Sequence, residues 1–146
     1  MITITNIRNA KNTNPDEIWA IVRSMKKPSP DIKQVQDLSP SWDLFKTFQT
    51  LKEHNHWNHN TFREIYVPEF LSGLIENKDK VYPLLNELWR LDKYGKNICL
   101  VCFCTDETMC HRSIIAGLLQ GVGCNVTTDT GLDYSMYNEI FKKMEK

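Results

Sequence analysis

The stretch from Ile98 to Leu119, ICLVCFCTDETMCHRSIIAGLL, constrains the fold more than any other part of the chain. Its first seven residues are almost all apolar or cysteine. Such a run is too short for a helix and is typical of a strand buried on both faces. After a polar break over 105–109, apolar residues at helical spacing predict a helix over 112–120. The sequence therefore predicts a buried strand over 98–104 that leads into a helix, as in a parallel α/β sheet.

The junction between this strand and this helix carries Cys110, His111 and Arg112. In open α/β sheets ligands bind at the carboxyl ends of the strands, and a helix start offers free backbone N–H groups and a positive dipole. We therefore expect Arg112 to bind an anion such as phosphate or carboxylate. The alternative role for this arginine is a salt bridge to Asp106 or Glu107.

Short strands and amphipathic helices alternate along the rest of the chain. Strands are predicted over 2–7, 18–24 and 124–128, and helices after Ser41, after Thr61 with a kink at Pro68, up to about Gly95 and over 134–144. The intervening segment 26–40 is predicted to be a long connection. A strand–helix–strand ending is a βαβ unit, which is nearly always right-handed with parallel strands. We predict one Rossmann-like α/β domain, residues 1–146, with a small, mostly parallel sheet flanked by helices.

Composition narrows the classes of function. Basic and acidic residues number 18 each, so the chain lacks the positive charge that binding to a nucleic acid backbone requires. It has no apolar run long enough for a membrane span or a signal peptide, so we expect a cytoplasmic protein that does not contact membranes. Four of the five cysteines crowd between Cys99 and Cys110, which favours free thiols in a reduced compartment. Association with further copies of the same chain, as a homo-oligomer, is compatible with this composition.

Several segments resemble the YeaO-like family of unknown function. The segments are Met1–Ile4, Ile21–Ser24, Asp37–Ser41, Phe62–Tyr66 and, most specifically, Cys110-His111-Arg112-Ser113-Ile114-Ile115-Ala116. The resemblance implies a fold similar to Rossmann-like nucleotide binders, and small members occur in bacteria and phages. It implies no agreed activity. This chain departs from the family in its multiple strand cysteines and in the histidine-rich connector 54–60.

The strand thiols admit two interpretations. Cys102 and Cys104 lie on the same face of the predicted strand, and with Cys110 and His111 they could surround zinc in a C-x-C-x5-C-H pattern. The paired C-x-x-C spacing of structural zinc sites is missing, so we expect Cys102 and Cys104 to pack in the core, with no metal and no cofactor. The three histidines of the connector could bind metal or line a pocket, although such residues are more often solvated.

The predicted ligand-binding residues lie at the carboxyl edge of the sheet or in the segments expected to face it. They are Arg23, Ser24, Tyr66, Cys104, Thr105, Asp106, Cys110, His111, Arg112 and Ser113. The guanidinium groups of Arg23 and Arg112 would hold phosphates, and Tyr66 or Trp57 would stack on a base.

Three hypotheses for function follow. The preferred one is a protein that binds a small phosphate-bearing, nucleotide-derived ligand, and by analogy with small phage proteins it sequesters an ADP-ribose-type or cyclic nucleotide signal of bacterial immunity. The second is an enzyme acting on a nucleoside or nucleotide, with Cys110, Asp106 or Glu107 as nucleophile or base and His111 in proton transfer. The third is an interaction module stabilised by zinc.

Overall fold

Five strands form one sheet in the order β3-β2-β4-β1-β5, and each pairing among the described residues is parallel. The structure is a computed structural model that describes residues 1–27 and 29–146. The strands are β1 (Ile2–Asn6), β2 (Glu17–Ala20), β3 (Ile32–Gln34), β4 (Ile98–Cys102) and β5 (Val126–Thr128). The predicted small α/β fold with a parallel sheet is confirmed.

Helices flank this sheet and shield its faces from solvent. They are α1 (Trp42–Glu53), α2 (His59–Thr61), α3 (Val67–Glu76), α4 (Lys78–Lys93), α5 (His111–Gly121) and α6 (Met136–Met144), with a π-helical turn over Phe62–Tyr66 and 3-10 turns over Ile7–Thr13, Gln36–Leu38 and Glu107–Met109. The Ser41 hydroxyl caps α1 by accepting the Leu44 N–H at 3.1 Å. In the described part of the chain, no helix combines the length and the apolar character needed to cross a membrane.

The central strand β4 is buried along its whole length, which explains its unbroken apolar sequence. Leu100 lies between Ile4 of β1 and Trp19 of β2 in the parallel register. Helix α5 packs on these strands, and α6 packs on α5. Nine consecutive residues of α5, from His111 to Leu119, are buried, so this helix belongs to the core rather than to the surface.

Several predicted boundaries are wrong. β2 ends at Ala20, so Arg23 and Ser24 follow the strand instead of ending it, and β4 ends at Cys102 rather than at residue 104. Segment 26–40 is not simply a connection, because it holds β3 and a 3-10 turn; its residue Pro28 lies outside the described residues. Strand β3 is a three-residue edge strand with exposed polar side chains, and it therefore carries no hydrophobic pattern. Pro68 is the second residue of α3, and a π-helical turn over Phe62–Tyr66 interrupts the regular helix just before this proline, in line with the predicted interruption.

The strand order places a topological switch point between β2 and β4. The chain leaves β2 for β3 on one side, whereas it leaves β4 for β5 on the other side. Two neighbouring strands whose connections diverge leave a crevice between their carboxyl ends. The fold therefore creates a binding crevice where the sequence places the thiols.

Candidate functional site

A cleft of about 230 Å³ occupies the crevice at the switch point. Residues 22–24, which follow β2, form one side, and residues 102–104, at the end of β4, form the other. Helix α1 and the start of α5 complete it. We call this space the thiol cleft, because Cys102, Cys104 and Cys110 lie on its surface.

Six aromatic side chains lie in the wall of the thiol cleft. They are Trp42, Phe45, Phe48, Trp57, Tyr66 and Phe103. The first three lie on one face of α1, and Trp57 packs edge-on against Phe48 with ring centroids 4.7 Å apart. Trp42 and Phe103 are each more than half exposed, so large aromatic surfaces remain open at the mouth of the cleft. Such a wall suits a flat, apolar ring.

Side-chain hydrogen bonds hold the loop after β4 in a path that returns to the end of this strand. The Asn6 side-chain amide, at the end of neighbouring β1, donates to the Cys104 carbonyl at 2.8 Å. The Asp106 carboxylate then accepts the Thr108 N–H at 3.0 Å and caps the short 3-10 turn. Cys110 follows in extended conformation as the residue that precedes α5. This path brings the Cys110 Sγ to 3.3 Å from the Cys102 Sγ.

Three thiols therefore converge, with their Sγ atoms all within 4.8 Å of one another. Hydrogen bonds from the Cys104 and Cys110 thiols lower the pKa of Cys102, whereas burial raises the pKa of Cys110. The hydrogen bond to Cys102 in turn raises the pKa of Cys104. The Arg112 Nη1 lies 3.9 Å from the Cys102 sulfur, and its positive charge favours the thiolate form of this cysteine.

His111 is buried beside these thiols as a neutral ring. Its Nε2 lies 2.7 Å from the Ile21 carbonyl oxygen, so Nε2 carries the hydrogen and donates it. Burial lowers the pKa of the imidazole. The other ring nitrogen, Nδ1, is then an acceptor, and it lies 3.6 Å from the Cys110 Sγ.

Arg112 lies beneath the thiol cleft instead of lining it. Its side chain is 2% exposed, and Nη2 lies 4.0 Å from the Asp129 carboxylate. The ion pair at this residue is thus with Asp129 and not with Asp106 or Glu107. The buried Glu107 carboxylate instead accepts hydrogen bonds from the Asp129 N–H and from the Thr130 and Tyr134 hydroxyls.

The structure brings six of the ten predicted ligand-binding residues to the thiol cleft. These six are Arg23, Ser24, Tyr66, Cys104, Cys110 and His111. The other four lie outside its lining: Thr105 and Asp106 are exposed in the loop, and Arg112 and Ser113 are buried in α5. The Ser113 hydroxyl donates to the Cys110 carbonyl at 2.8 Å, which gives it a structural role at the helix start.

Sequence reasoning missed the aromatic face of α1. The sequence predicts a helix after Ser41, but Trp42, Phe45 and Phe48 are not among the predicted ligand-binding residues. The available signal was the spacing of these three aromatic residues, which places them on one side of the helix.

In the connector, Trp57 lines the thiol cleft as anticipated. His54, His56 and His59 are exposed and are not among the described residues that line it.

Among the described residues, the three clustered thiols form a group that could hold a metal ion. All five cysteines are free, as expected. The prediction that Cys102 and Cys104 both pack in the core is wrong for Cys104, which is exposed. The physical reason is that β4 ends at Cys102, so that Cys104 belongs to the loop.

The fold and the site define a small parallel α/β protein of the Rossmann-like type, with a thiol-bearing ligand cleft at its switch point. Comparison with family models gives a match over residues 3–123 to DUF488-N3a, described as the Active DUF488-N3 subclade. The chain belongs to this family. The match supports the DUF488 and YeaO-type relationship that the sequence indicated. Searches of curated proteins and of solved structures found no match.

Proposed function

We propose that this protein binds a small phosphate-bearing, nucleotide-derived ligand in the thiol cleft. The observation that carries the proposal is the aromatic wall of a cleft at the switch point of a parallel sheet. In the complex, the base of the ligand stacks on the aromatic side chains, and the phosphates lie at the rim beside Arg23. The family description names no substrate or reaction, so the proposal depends on the site alone.

The size of the cleft supports the enclosure of a ring. Its volume of about 230 Å³ is below the ~300–1,000 Å³ of pockets that bury a whole drug-sized ligand. A base fits inside, whereas the sugar and phosphates of the same ligand extend to the mouth. Each base stacked on an aromatic side chain contributes about 1–3 kcal/mol, and Trp42 and Phe103 present exposed rings for this contact.

Arg23 supplies the charge at the rim. Its Nε donates to the Pro40 carbonyl at 2.9 Å and its Nη2 to the Gln36 carbonyl at 3.4 Å, so the backbone holds the guanidinium in place. A guanidinium has five N–H donors, and those not used here are available to phosphate oxygens. Arg112 contributes its buried positive charge from beneath the thiols.

A second candidate function is an enzyme that acts on a nucleoside or nucleotide through cysteine and histidine. One observation favours it: the Cys110 Sγ lies 3.6 Å from the accepting Nδ1 of His111, next to the space where the base would lie. Cys110 and His111 are buried, whereas Asp106 lies outside the lining and the Glu107 carboxylate is already occupied by three hydrogen bonds. The base or nucleophile of this candidate is therefore the Cys110 and His111 pair.

A thermal-shift screen tests the binding proposal directly. The probes are nucleoside mono- and diphosphates, cyclic nucleotides and ADP-ribose, and hits are measured by calorimetric titration. Trp42→Ala is expected to weaken binding by about 1–3 kcal/mol, or about fivefold or more, because a stacking surface is lost. The matched control is Trp89→Ala, since Trp89 is similarly exposed but is not among the residues that line the thiol cleft.

Two further variants test the contact between Arg23 and the phosphates. Arg23→Gln is expected to weaken binding of the phosphorylated probe but not of the corresponding nucleoside, whereas Arg90→Gln, in a surface ion pair with Glu87, leaves both unchanged. Equal affinities for Trp42→Ala and Trp89→Ala, or no hit in the screen, would contradict the proposal. Mass spectrometry of the recovered ligand then separates sequestration, which returns it intact, from turnover by the enzyme.

A further inference from the structure

The three thiols at the floor of the cleft form a triangle of the size that a metal ion requires. Their Sγ atoms lie within 4.8 Å of one another, and those of Cys102 and Cys110 are 3.3 Å apart. Tetrahedral zinc with Zn–S bonds of about 2.3 Å places its sulfur ligands about 3.8 Å apart. The triangle therefore needs only small side-chain adjustments to hold such an ion.

His111 is held in the manner of a metal ligand. Histidines that bind metals usually donate the other ring N–H to a carbonyl or carboxylate, which fixes the tautomer. Here Nε2 donates to the Ile21 carbonyl at 2.7 Å, and Nδ1, with its lone pair, lies 3.6 Å from the Cys110 Sγ. A fourth donor thus stands next to the triangle, and a set of three cysteines and one histidine is typical of zinc.

The positive charge of Arg112 lies beneath the three thiols, where it can balance the charge of a bound metal ion and its thiolates. Three thiolates around a divalent cation carry one net negative charge, which is costly to bury without a partner. The Arg112 guanidinium is 2% exposed, its Nη1 lies 3.9 Å from the Cys102 Sγ, and its Nε has no hydrogen-bond partner among the described residues. We propose that Cys102, Cys104 and Cys110 bind a thiophilic divalent ion, Zn²⁺ by ligand set, with Arg112 balancing its charge.

The ion has a path to the site. Cys104 is exposed, and the three thiols and His111 all lie on the surface of the thiol cleft. The fourth coordination position belongs to His111 Nδ1 or to a water molecule from the cleft. This inference does not depend on the proposed nucleotide ligand, because it concerns the reduced protein alone.

Titration with Co²⁺ tests the metal site in the full chain, purified with metal-free reducing buffer. We expect one equivalent of Co²⁺ to give thiolate charge-transfer absorption, and Zn²⁺ to displace it. Cys104→Ser should weaken the binding of Co²⁺ by more than about tenfold, a loss that even a change in the outer shell can cause. The matched control is Cys124→Ser, because Cys124 is a free cysteine that does not belong to the triangle.

Circular dichroism establishes that both variants are folded before they are compared. Metal analysis first establishes that the wild-type protein is free of zinc, and zinc-free protein without charge-transfer bands then overturns the proposal, whatever the variants do. Equal binding of Co²⁺ by Cys104→Ser and Cys124→Ser also overturns it. Rapid oxidation of Cys102 and Cys110 to a disulfide in the presence of one equivalent of Zn²⁺ has the same effect, since it would show that the ion does not occupy the thiolates.

Discussion

Glu107 is the residue that joins the loop before α5 to the segment after β5. The residue is 3% exposed, and its carboxylate accepts the Asp129 N–H at 2.9 Å and the Tyr134 hydroxyl at 2.6 Å, together with the Thr130 hydroxyl. Burial and the hydrogen bond to Glu107 both raise the pKa of Tyr134, so this phenol stays neutral and keeps donating. The fixed position of the thiol loop therefore depends on one buried acid.

The Glu107→Ala variant is expected to lower the free energy of unfolding by about 3 kcal/mol, because three donors lose a buried acceptor. Urea denaturation measures the loss. Glu139→Ala removes a glutamate whose side chain is 69% exposed and whose ion pair with Lys142 is on the surface, so its cost should stay below about 0.5 kcal/mol. Similar costs for the two variants would show that the Glu107 network does not hold the loop.

The contact between α5 and α6 depends on glycine. A side chain at Gly117 would overlap the backbone carbonyl of Tyr134, and one at Gly121 would overlap the side chain of Asn138. The absence of a Cβ at these two positions lets α6 and the turn before it lie directly on α5. Because α5 carries His111 and Arg112 at its other end, this close packing also fixes the helix that bears the site.

Two alanine variants should have opposite effects on stability. Gly117→Ala is expected to destabilise the protein by about 1–3 kcal/mol, because overpacking forces the backbone apart. Gly73→Ala, within α3, meets no atom within 4 Å and should stabilise by about 0.5–1 kcal/mol through the better helix propensity of alanine. Thermal unfolding of both variants beside the wild type gives the comparison. A stabilising Gly117→Ala would mean that α6 lies farther from α5.

At the level of elements, the sequence predicted the strands and helices that have a strong hydrophobic pattern. β4 and α5 have nearly unbroken apolar sequences because they are buried, so both elements and the thiols between them were predicted, with β4 ending two residues early. β3 was missed because a short edge strand with polar side chains has no such pattern. The contribution of α1 to the site was missed for another reason: the apolar spacing of α1 is the same whether its rings face the core or an open cleft.

For the molecule as a whole, the strand order pairs the N-terminal strand β1 with the C-terminal strands β4 and β5. β1 lies between β4 and β5, so the first strand has both of its neighbours in the last third of the sequence. The buried apolar residues form a single core that draws on both halves of the chain. Neither half of the chain can keep its part of the sheet without the other.

Unfolding in urea should accordingly be one cooperative transition. Far-UV circular dichroism follows the helices, and tryptophan fluorescence follows positions spread over the chain, from Trp19 in β2 to Trp89 in α4. The two signals are expected to give the same midpoint and the same slope. Separate midpoints, with the fluorescence change preceding the loss of helix, would indicate two independently stable parts.

The position of β1 also has a consequence for synthesis on the ribosome. β1 leaves the exit tunnel before both of its partners, since β4 and β5 begin only at Ile98 and Val126. At about 5–20 residues per second, the strand waits roughly 5–20 seconds for its first neighbour. During that interval Ile2 and Ile4, which are fully buried in the finished protein, have no sheet to cover them. The nascent chain therefore leaves these apolar side chains exposed to water until β4 emerges.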